Sequence, residues 1–144
     1  MTIPAILLFL DFDGVLRRAD SPKYRFDQDC LELFQETVRS LESLEIVVSS
    51  SWKDGFTLSE IKVRFAPDVA ERIIGVTPSL LRMDEHPRRR EVLSYLRERG
   101  WEKRRWVAID DSPDNYGPLK NVVLTDPAKG FDRLAAESLM RVAR

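Results

Sequence analysis

Two aspartates, one residue apart, follow an apolar run near the start of the sequence. The run at residues 7–10 ends at Asp11, and Asp13 and Gly14 come directly after it. On an extended backbone, residues two apart point the same way, so both carboxylates share one side of the chain. Glycine permits a positive φ or a close backbone approach just after the pair. This pattern predicts carboxylates that surround a ligand or an ion; the alternative is a solvated acidic turn.

Two further apolar runs also end in polar residues. Ser49 follows residues 45–48, and the pair Asp110 and Asp111 follows residues 105–109. If these runs are neighbouring parallel strands, the side chains converge at the carboxyl edge of the sheet. Three or four clustered carboxylates cannot all stay ionised without a cation, and oxygen ligands without clustered His or Cys favour Mg²⁺. Because Mg²⁺ leaves positions free for phosphate oxygens, the pattern favours phosphoryl chemistry.

An arginine triplet supplies candidate phosphate ligands. Arg88, Arg89 and Arg90 follow Pro87 in the first turn of a predicted helix over residues 87–99. A helix N-terminus favours anions, so a basic cluster there is unfavourable unless an anion offsets it. The triplet therefore favours a phosphate-binding role, although for any one arginine the alternative is a solvated helix end.

The elements that must position these residues alternate along the chain. Continuous apolar runs indicate strands buried on both faces, and apolar residues at spacings of three and four indicate amphipathic helices. Asp27 is expected to cap the first helix and Gly100 to end the third. Alternating strands and helices predict an α/β fold with a doubly wound, Rossmann-like parallel sheet and flanking helices. The predicted strands are residues 5–10, 45–48, 105–109 and 121–124 with a short one near Ile73, and the predicted helices are residues 27–43, 57–65, 87–99 and 131–142.

Composition limits the class of protein. The 144 residues are the length of one domain, predicted to span residues 1–144. A net charge of -1 excludes a globally basic nucleic-acid binder but not a local basic patch. Cys30 is the only cysteine, so an internal disulfide is excluded, and the apolar run at residues 3–10 is too short to span a membrane. These features favour the cytoplasm and no membrane contact.

The ordered set of motifs resembles the haloacid dehalogenase-like (HAD) phosphohydrolase superfamily. The first motif is matched by residues 11–16, the second by Ser49 and the fourth by residues 110–111. For the third motif Arg88 is favoured because it comes earliest in the helix, with Arg89 and Arg90 as alternatives and lysine as the usual residue. Residues 49–52 and 124–127 with Gly130 are also similar to small HAD domains, some of them fused to RNA-repair enzymes.

The resemblance implies a role for each motif residue. Asp11 would be the nucleophile that forms an aspartyl-phosphate, and Asp13 would act first as general acid and then as general base. Ser49 and Arg88 would bind the transferring phosphoryl oxygens. The implied contacts with the substrate beyond the phosphoryl group come from Ser50, Trp52 and Arg89.

The same resemblance implies a Mg²⁺ site. Its ligands would be the Asp11 carboxylate, the backbone carbonyl of Asp13 and an acid of the fourth motif. Asp111 is favoured as the direct ligand, and Asp110 would orient waters or the Asp111 side chain without binding the metal itself. Asn115 stands where relatives often carry a supporting aspartate, which leaves that role open.

The gaps between motifs are too short for a large cap domain. Residues 15–27 leave room for a short flap only. An open crevice implies a macromolecular substrate, such as a nucleic-acid end or a phosphoprotein, or closure by another subunit. A basic rim suited to a polynucleotide is predicted, with solvated charges as the alternative; its members are Arg17, Arg18, Lys23, Arg25, Trp52, Lys53 and the arginine triplet. Trp52 would stack on a base or leaving group, or else pack in the core.

Two other classes of protein carry similar residues. A signalling receiver domain also groups acids around Mg²⁺, but its acid pair lies at the first strand, whereas here the adjacent pair comes late. A non-catalytic phosphate- or Mg²⁺-binding module of the same fold is the second alternative, and the presence of both Asp11 and Asp13 disfavours it. The sequence thus predicts a Mg²⁺-dependent phosphohydrolase that acts through an aspartyl-phosphate.

Overall fold

The computed structural model describes residues 5–80 and 85–144, and in them five strands form one parallel sheet. Ile3 and Pro4 of the N-terminal apolar run lie outside these residues. The strand order is β3-β2-β1-β4-β5. The strands are β1 (Ile6–Leu10), β2 (Leu44–Val48), β3 (Ile73–Val76), β4 (Trp106–Asp110) and β5 (Val122–Leu124). The helices are α1 (Gln28–Arg39), α2 (Leu58–Lys62), α3 (Pro67–Ala70), α4 (Pro87–Arg99) and α5 (Arg133–Ala143).

Helices cover both faces of the sheet, which confirms the predicted doubly wound α/β fold. Successive residues of β1 point to opposite faces. Leu8 belongs to a core cluster with Phe34 of α1 and Leu139 of α5. Phe9 belongs to a second cluster and meets Tyr95 of α4 edge to face, with ring centroids 5.8 Å apart. Burial on both sides explains why the strands are continuously apolar.

Helix α1 is shorter than predicted. Its cap at the C-terminal end is Ser40, whereas Leu41 lies in the following turn and Leu44 opens β2. Both leucines are buried, so their spacing continues the apolar pattern of the helix after the helix has ended. Asp27 occupies the N-cap position but does not cap the helix with its side chain. Its carboxylate instead accepts hydrogen bonds from the backbone N–H of Arg18 and the hydroxyl of Ser21, both at 2.8 Å.

The register of the sheet brings the predicted motif ends together. Leu10 of β1 pairs with Val48 of β2 and with Ile109 of β4. The residues that follow these partners therefore leave the sheet together, at the carboxyl ends of its three central strands.

No large cap domain interrupts the part of the chain that the structure describes. Residues 11–27 hold turns and an isolated bridge between Asp13 and Arg17. The other possible insertion point, after β2, holds only a 3-10 turn, α2, α3 and β3 within the described residues. Helix α3 begins at Pro67, in a stretch for which the sequence predicted no helix; proline suits a first helical turn. Among the described helices, none is long and apolar enough to cross a membrane.

Candidate active site

Three aspartates meet at the carboxyl edge of β1 and β4. One carboxylate oxygen from each of Asp11, Asp110 and Asp111 lies within 4.8 Å of the others. Asp11 is held in place by its backbone N–H, which donates to the carbonyl of Ile109 at 3.1 Å. The Asp110 side chain is fully buried and that of Asp11 nearly so. The clustering predicted from separate strand ends is therefore present in the fold.

Burial and mutual repulsion raise the pKa values of this cluster. The pKa of Asp11 lies well above its usual range, because the carboxyl is buried and because Asp110 and Asp111 repel its charge. Burial also raises the pKa of Asp110 to about 6, although hydrogen bonds from Ser112 N–H (2.9 Å) and Asn115 Nδ2 (3.0 Å) oppose the rise. A nearby cation would reverse this preference for protons.

The donor set fits a hard divalent cation. Asp110 uses Oδ1 for both of its hydrogen bonds, whereas Oδ2 is buried and has no hydrogen-bond partner among the described residues. A buried, donor-free carboxylate oxygen beside two further carboxylates matches the oxygen ligands that Mg²⁺ takes. The arrangement brings Asp110 as well as Asp111 into the cluster, and Asn115 supports Asp110 directly.

Gly14 makes room for the Asp111 carboxylate. It has a positive φ of 80°, and a Cβ atom at this position would overlap the Asp111 side chain. The carbonyl of Gly14 accepts a hydrogen bond from Thr125 Oγ1 at 2.7 Å, which fixes the turn from the end of β5. Both the left-handed conformation and the close approach predicted for this glycine are confirmed.

Asp13 lies beside the cluster but faces other partners. Its Oδ1 accepts a hydrogen bond from Trp52 Nε1 at 3.2 Å and forms an ion pair with Arg17 Nε at 3.2 Å. The Asp13 side chain remains 46% exposed. It is therefore oriented by one hydrogen bond and one ion pair, and it is still open to a substrate or to water.

The Ser49 and Tyr116 hydroxyls are both buried near the acidic cluster. Ser49 is anchored by its backbone N–H, which donates to the carbonyl of Leu10 at 2.9 Å. Neither hydroxyl has a hydrogen-bond partner among the described residues. Burial, together with the charge of Asp110, raises the pKa of Tyr116, so this phenol stays neutral. Sequence reasoning missed Tyr116, since an isolated tyrosine after a turn carries no distinguishing signal.

The charge of Arg88 acts on the acidic cluster. It opposes the rise in the pKa of Asp11, and its own side chain is 21% exposed. The guanidinium donates through Nη1 to Glu91 Oε1 at 2.8 Å, one turn along α4. Arg89 is also partly exposed in the first turn of α4.

Lys53 does not belong to an exposed basic rim. Its side chain is 3% exposed, and Nζ donates to Thr77 Oγ1 (2.9 Å), Pro78 O (3.3 Å) and Glu91 Oε1 (3.0 Å). Burial lowers the pKa of Lys53, and the hydrogen bond to Glu91 counteracts this shift. The sequence suggested a surface charge because the buried partner lies 38 residues further along the chain.

Trp52 packs in an aromatic cluster. The side chain is 2% exposed and stacks on Phe26 with centroids 5.0 Å apart, while Phe12 meets it edge to face at 5.1 Å. This arrangement corresponds to the packing alternative; stacking on a base would need a ring face that is not exposed here. The neighbouring Ser50 is also buried, and its Oγ accepts a hydrogen bond from the Trp52 N–H at 3.2 Å.

The predicted basic rim divides into buried and exposed members. Arg17 is buried, and its Nη1 donates to the carbonyl of Arg18 at 2.8 Å. Arg18 is half-buried and forms an ion pair with Asp29. Lys23 and Arg25 are exposed, as the rim requires.

A cavity of about 680 Å³ lies away from the candidate site. It is lined by residues near the amino ends of β1 and β2 and by the loop before β4, including Ile6, Leu44 and Trp101. None of the candidate site residues lines it. The acidic cluster lies instead at the opposite edge of the sheet.

Comparison with known proteins identifies the family. A family model described as the HAD domain in Swiss Army Knife RNA repair proteins matches residues 7–136, which is most of the chain and includes every candidate site residue named above. Searches of curated proteins and of solved structures gave no match. The parallel sheet, the absence of a large cap in the described residues and the acidic cluster agree with this assignment. The chain therefore belongs to the family of HAD domains found in Swiss Army Knife RNA repair proteins.

Proposed function

We propose that this protein is a Mg²⁺-dependent phosphohydrolase that removes a phosphate group through an aspartyl-phosphate on Asp11. The observation that carries the proposal is the buried convergence of the Asp11, Asp110 and Asp111 carboxylates beside a half-buried arginine. Such a cluster is stable in its ionised form only with a cation, and the arginine supplies positive charge for a second anion.

The first half-reaction would transfer the phosphoryl group to the protein. An Asp11 oxygen attacks phosphorus in line, the new O–P bond forms, and the bond to the leaving oxygen breaks. Asp13 gives its proton to the leaving oxygen. The hydrogen bond from Trp52 and the ion pair with Arg17 orient this carboxyl while leaving it partly exposed to the substrate.

The second half-reaction would return Asp11 to its free form. Asp13, now ionised, takes a proton from water as the water attacks phosphorus, and the bond between phosphorus and Asp11 breaks. Ser49 and Arg88 would donate hydrogen bonds to the equatorial phosphoryl oxygens, where charge builds up. Mg²⁺, held by Asp11, the Asp13 carbonyl and the acids at 110 and 111, would neutralise the charge that otherwise repels a phosphate dianion.

The proposed substrate is a phosphorylated nucleic-acid end. The description of the family as part of RNA repair proteins supports this class. The lack of a large cap in the described residues leaves room for a polynucleotide, and the exposed Lys23 and Arg25 provide positive charge for it. The proposed site contains Asp11, Asp13, Ser49, Arg88, Asp110 and Asp111, with Arg89 as a further substrate contact.

The test is phosphate release by the purified chain. p-Nitrophenyl phosphate, 5′- and 3′-phosphorylated single-stranded RNA and a phosphopeptide are each incubated with Mg²⁺ or with EDTA, beside the Asp11→Asn variant. We expect Mg²⁺-dependent release that is lost in the variant, with RNA preferred over the phosphopeptide. If no substrate is hydrolysed although Mg²⁺ raises the melting temperature, the protein is a binding module. Preference for the phosphopeptide would contradict the substrate class alone.

A further inference from the structure

Tyr24 is an exposed aromatic residue in a strained backbone conformation. Its φ is 61°, and among the described residues other than glycine it is the one with a positive φ. This left-handed region is uncommon for a bulky side chain and costs about 1 kcal/mol or more in free energy. The residue is nevertheless 54% exposed, so burial of an apolar ring does not account for the strain. An outlier of this kind justifies a functional hypothesis.

The strained turn holds the Tyr24 ring beside the candidate site. The ring centroid lies 5.5 Å from that of Trp52 and 5.4 Å from that of Phe56, both at steep interplanar angles. The indole N–H of Trp52 in turn donates to Asp13. One side chain therefore separates the Tyr24 ring from the carboxylate assigned to the leaving oxygen. The group attached to that oxygen would lie within reach of the ring.

Several basic residues lie close to Tyr24 along the chain or against its neighbouring ring. Lys23 and Arg25 flank it in the chain and are both exposed. The guanidinium of Arg64 lies over the Phe56 ring, 4.7 Å from its centroid. An exposed aromatic ring with basic residues on either side of it in the sequence is a combination that binds single-stranded nucleic acid. Bases stack on the ring, and the phosphodiester groups pair with the cations. A phosphopeptide offers the cations a phosphate but has no obligatory flat ring for the tyrosine.

We propose that Tyr24, with Lys23 and Arg25, forms a subsite that stacks the nucleobase next to the phosphate to be removed. This inference rests on the proposed function, since it concerns the leaving group of the same reaction. Tyr24 takes the stacking role that the sequence suggested for Trp52, and Trp52 supports its ring from below. Loss of one base–aromatic stack is expected to weaken binding by about tenfold or more.

The test measures binding without turnover, in the Asp11→Asn background and with Mg²⁺ present. The probes are a fluorescent single-stranded RNA phosphorylated at either end and a fluorescent phosphopeptide of equal charge, followed by anisotropy. Tyr24→Ala should raise the Kd for RNA about tenfold, and Tyr24→Phe should keep it within about twofold because the ring remains. The Kd for the phosphopeptide should change far less.

Two control variants separate stacking from loss of fold. Tyr24→Gly relieves the strain at φ 61° that Tyr24→Ala retains, so it should be the more stable of the two variants, yet it should lose RNA affinity like Tyr24→Ala. Leu134→Ala removes another exposed apolar side chain, on α5, and should leave the RNA Kd unchanged. An unchanged RNA Kd in both Tyr24→Ala and Tyr24→Gly would overturn the inference. Equal losses for RNA and phosphopeptide would overturn it as well. Failure of the proposed function appears separately, as absence of phosphate release by the wild-type protein.

Discussion

Arg88 donates through Nη1 to Oε1 of Glu91 at 2.8 Å, one helical turn along α4. The same oxygen accepts a hydrogen bond from Lys53 Nζ at 3.0 Å, so one carboxylate holds two cations from different parts of the chain. Lys53 has three N–H donors, and three protein acceptors lie around them. Arg88 has five N–H donors and therefore keeps several for a phosphoryl group. Glu91 thus orients the arginine for which we propose phosphate binding.

Removal of the Arg88 guanidinium should slow the chemical step. In Arg88→Gln, kcat for p-nitrophenyl phosphate is expected to fall by about 10²–10³-fold, because one donor to the transition-state charge is lost. Steady-state kinetics with Mg²⁺ give the value. Arg97→Gln, on the last turn of the same helix, should stay within about twofold of wild type. Equal kcat values for the two variants would remove Arg88 from the site.

Glu91 should be important for stability as well as for activity. The Lys53 and Glu91 side chains are 3% and 8% exposed, so Glu91→Ala leaves a buried ammonium without its counter-charge. We expect the free energy of unfolding to fall by about 3–5 kcal/mol in urea titrations. The double variant Lys53→Met/Glu91→Leu should recover most of this loss, because the buried ammonium is removed together with its partner and Arg88, 21% exposed, can still reach water. Glu98→Ala, exposed on the same helix, should cost less than about 0.5 kcal/mol. A loss that small for Glu91→Ala would contradict the buried pair.

Gly14→Ala should disturb the Asp111 carboxylate. The new Cβ would overlap that side chain, and the positive φ adds backbone strain. Gly100→Ala is the matched control, since it has a similar φ of 68° but open space around the added atom. Both variants should lose some stability, measured by thermal melting. The increase in melting temperature on adding Mg²⁺ should disappear in Gly14→Ala and persist in Gly100→Ala. Persistence in both would mean that Asp111 does not contribute to the metal site.

Much of this arrangement could be predicted from the sequence because the determining patterns are local. Residues 7–10 and 106–109 are continuously apolar and end at acids, which places those acids at the carboxyl edge of a buried parallel sheet. Gly14 after the first pair predicts the tight turn. Once β1 and β4 are neighbours in a parallel sheet, their carboxyl ends bring Asp11 and Asp110 together.

Other features depend on contacts between distant residues and could not be predicted. Lys53 is polar in sequence but buried in the fold, since its partner Glu91 comes from another helix. The sequence predicts a longer helix α1 because Leu41 continues the helical spacing of apolar residues, although it lies in the turn after the helix. Tyr24 shows no sequence signal at all, because its strain and exposure arise from the fold of the loop around it.

The buried carboxyl of Asp110 should make stability depend on pH. Its pKa in the folded protein is about 6, against an ordinary value of 3.8, so the folded state holds more protons between these values. The contribution of this group to the free energy of unfolding therefore falls as pH rises from about 4 to about 6. Mg²⁺ binding requires the ionised form, so the Mg²⁺-induced rise in melting temperature should grow over the same window.

Thermal melting at several pH values, with and without Mg²⁺, checks this expectation. In Asp110→Asn, stability should fall less between pH 4 and pH 6 than in the wild type, because the titrating carboxyl is gone. Most of the Mg²⁺-induced rise in melting temperature should also disappear. Asp20→Asn, an exposed aspartate in the loop before α1, should behave like wild type. A Mg²⁺ effect of equal size at pH 5 and pH 7 would show that Asp110 does not have to be ionised for binding.

The proposed mechanism requires a covalent phosphoryl group on Asp11, which can be trapped in a variant that forms it but hydrolyses it slowly. Asp13→Asn should still allow attack on p-nitrophenyl phosphate, whose leaving group needs little protonation, but should slow the attack of water. After a short incubation with Mg²⁺ and an acid quench, peptide mass spectrometry should find one phosphoryl group on Asp11, and none in the Asp11→Asn/Asp13→Asn double variant. Release of p-nitrophenol by Asp13→Asn with no phosphoryl group on Asp11, or with the group on another residue, would contradict the account.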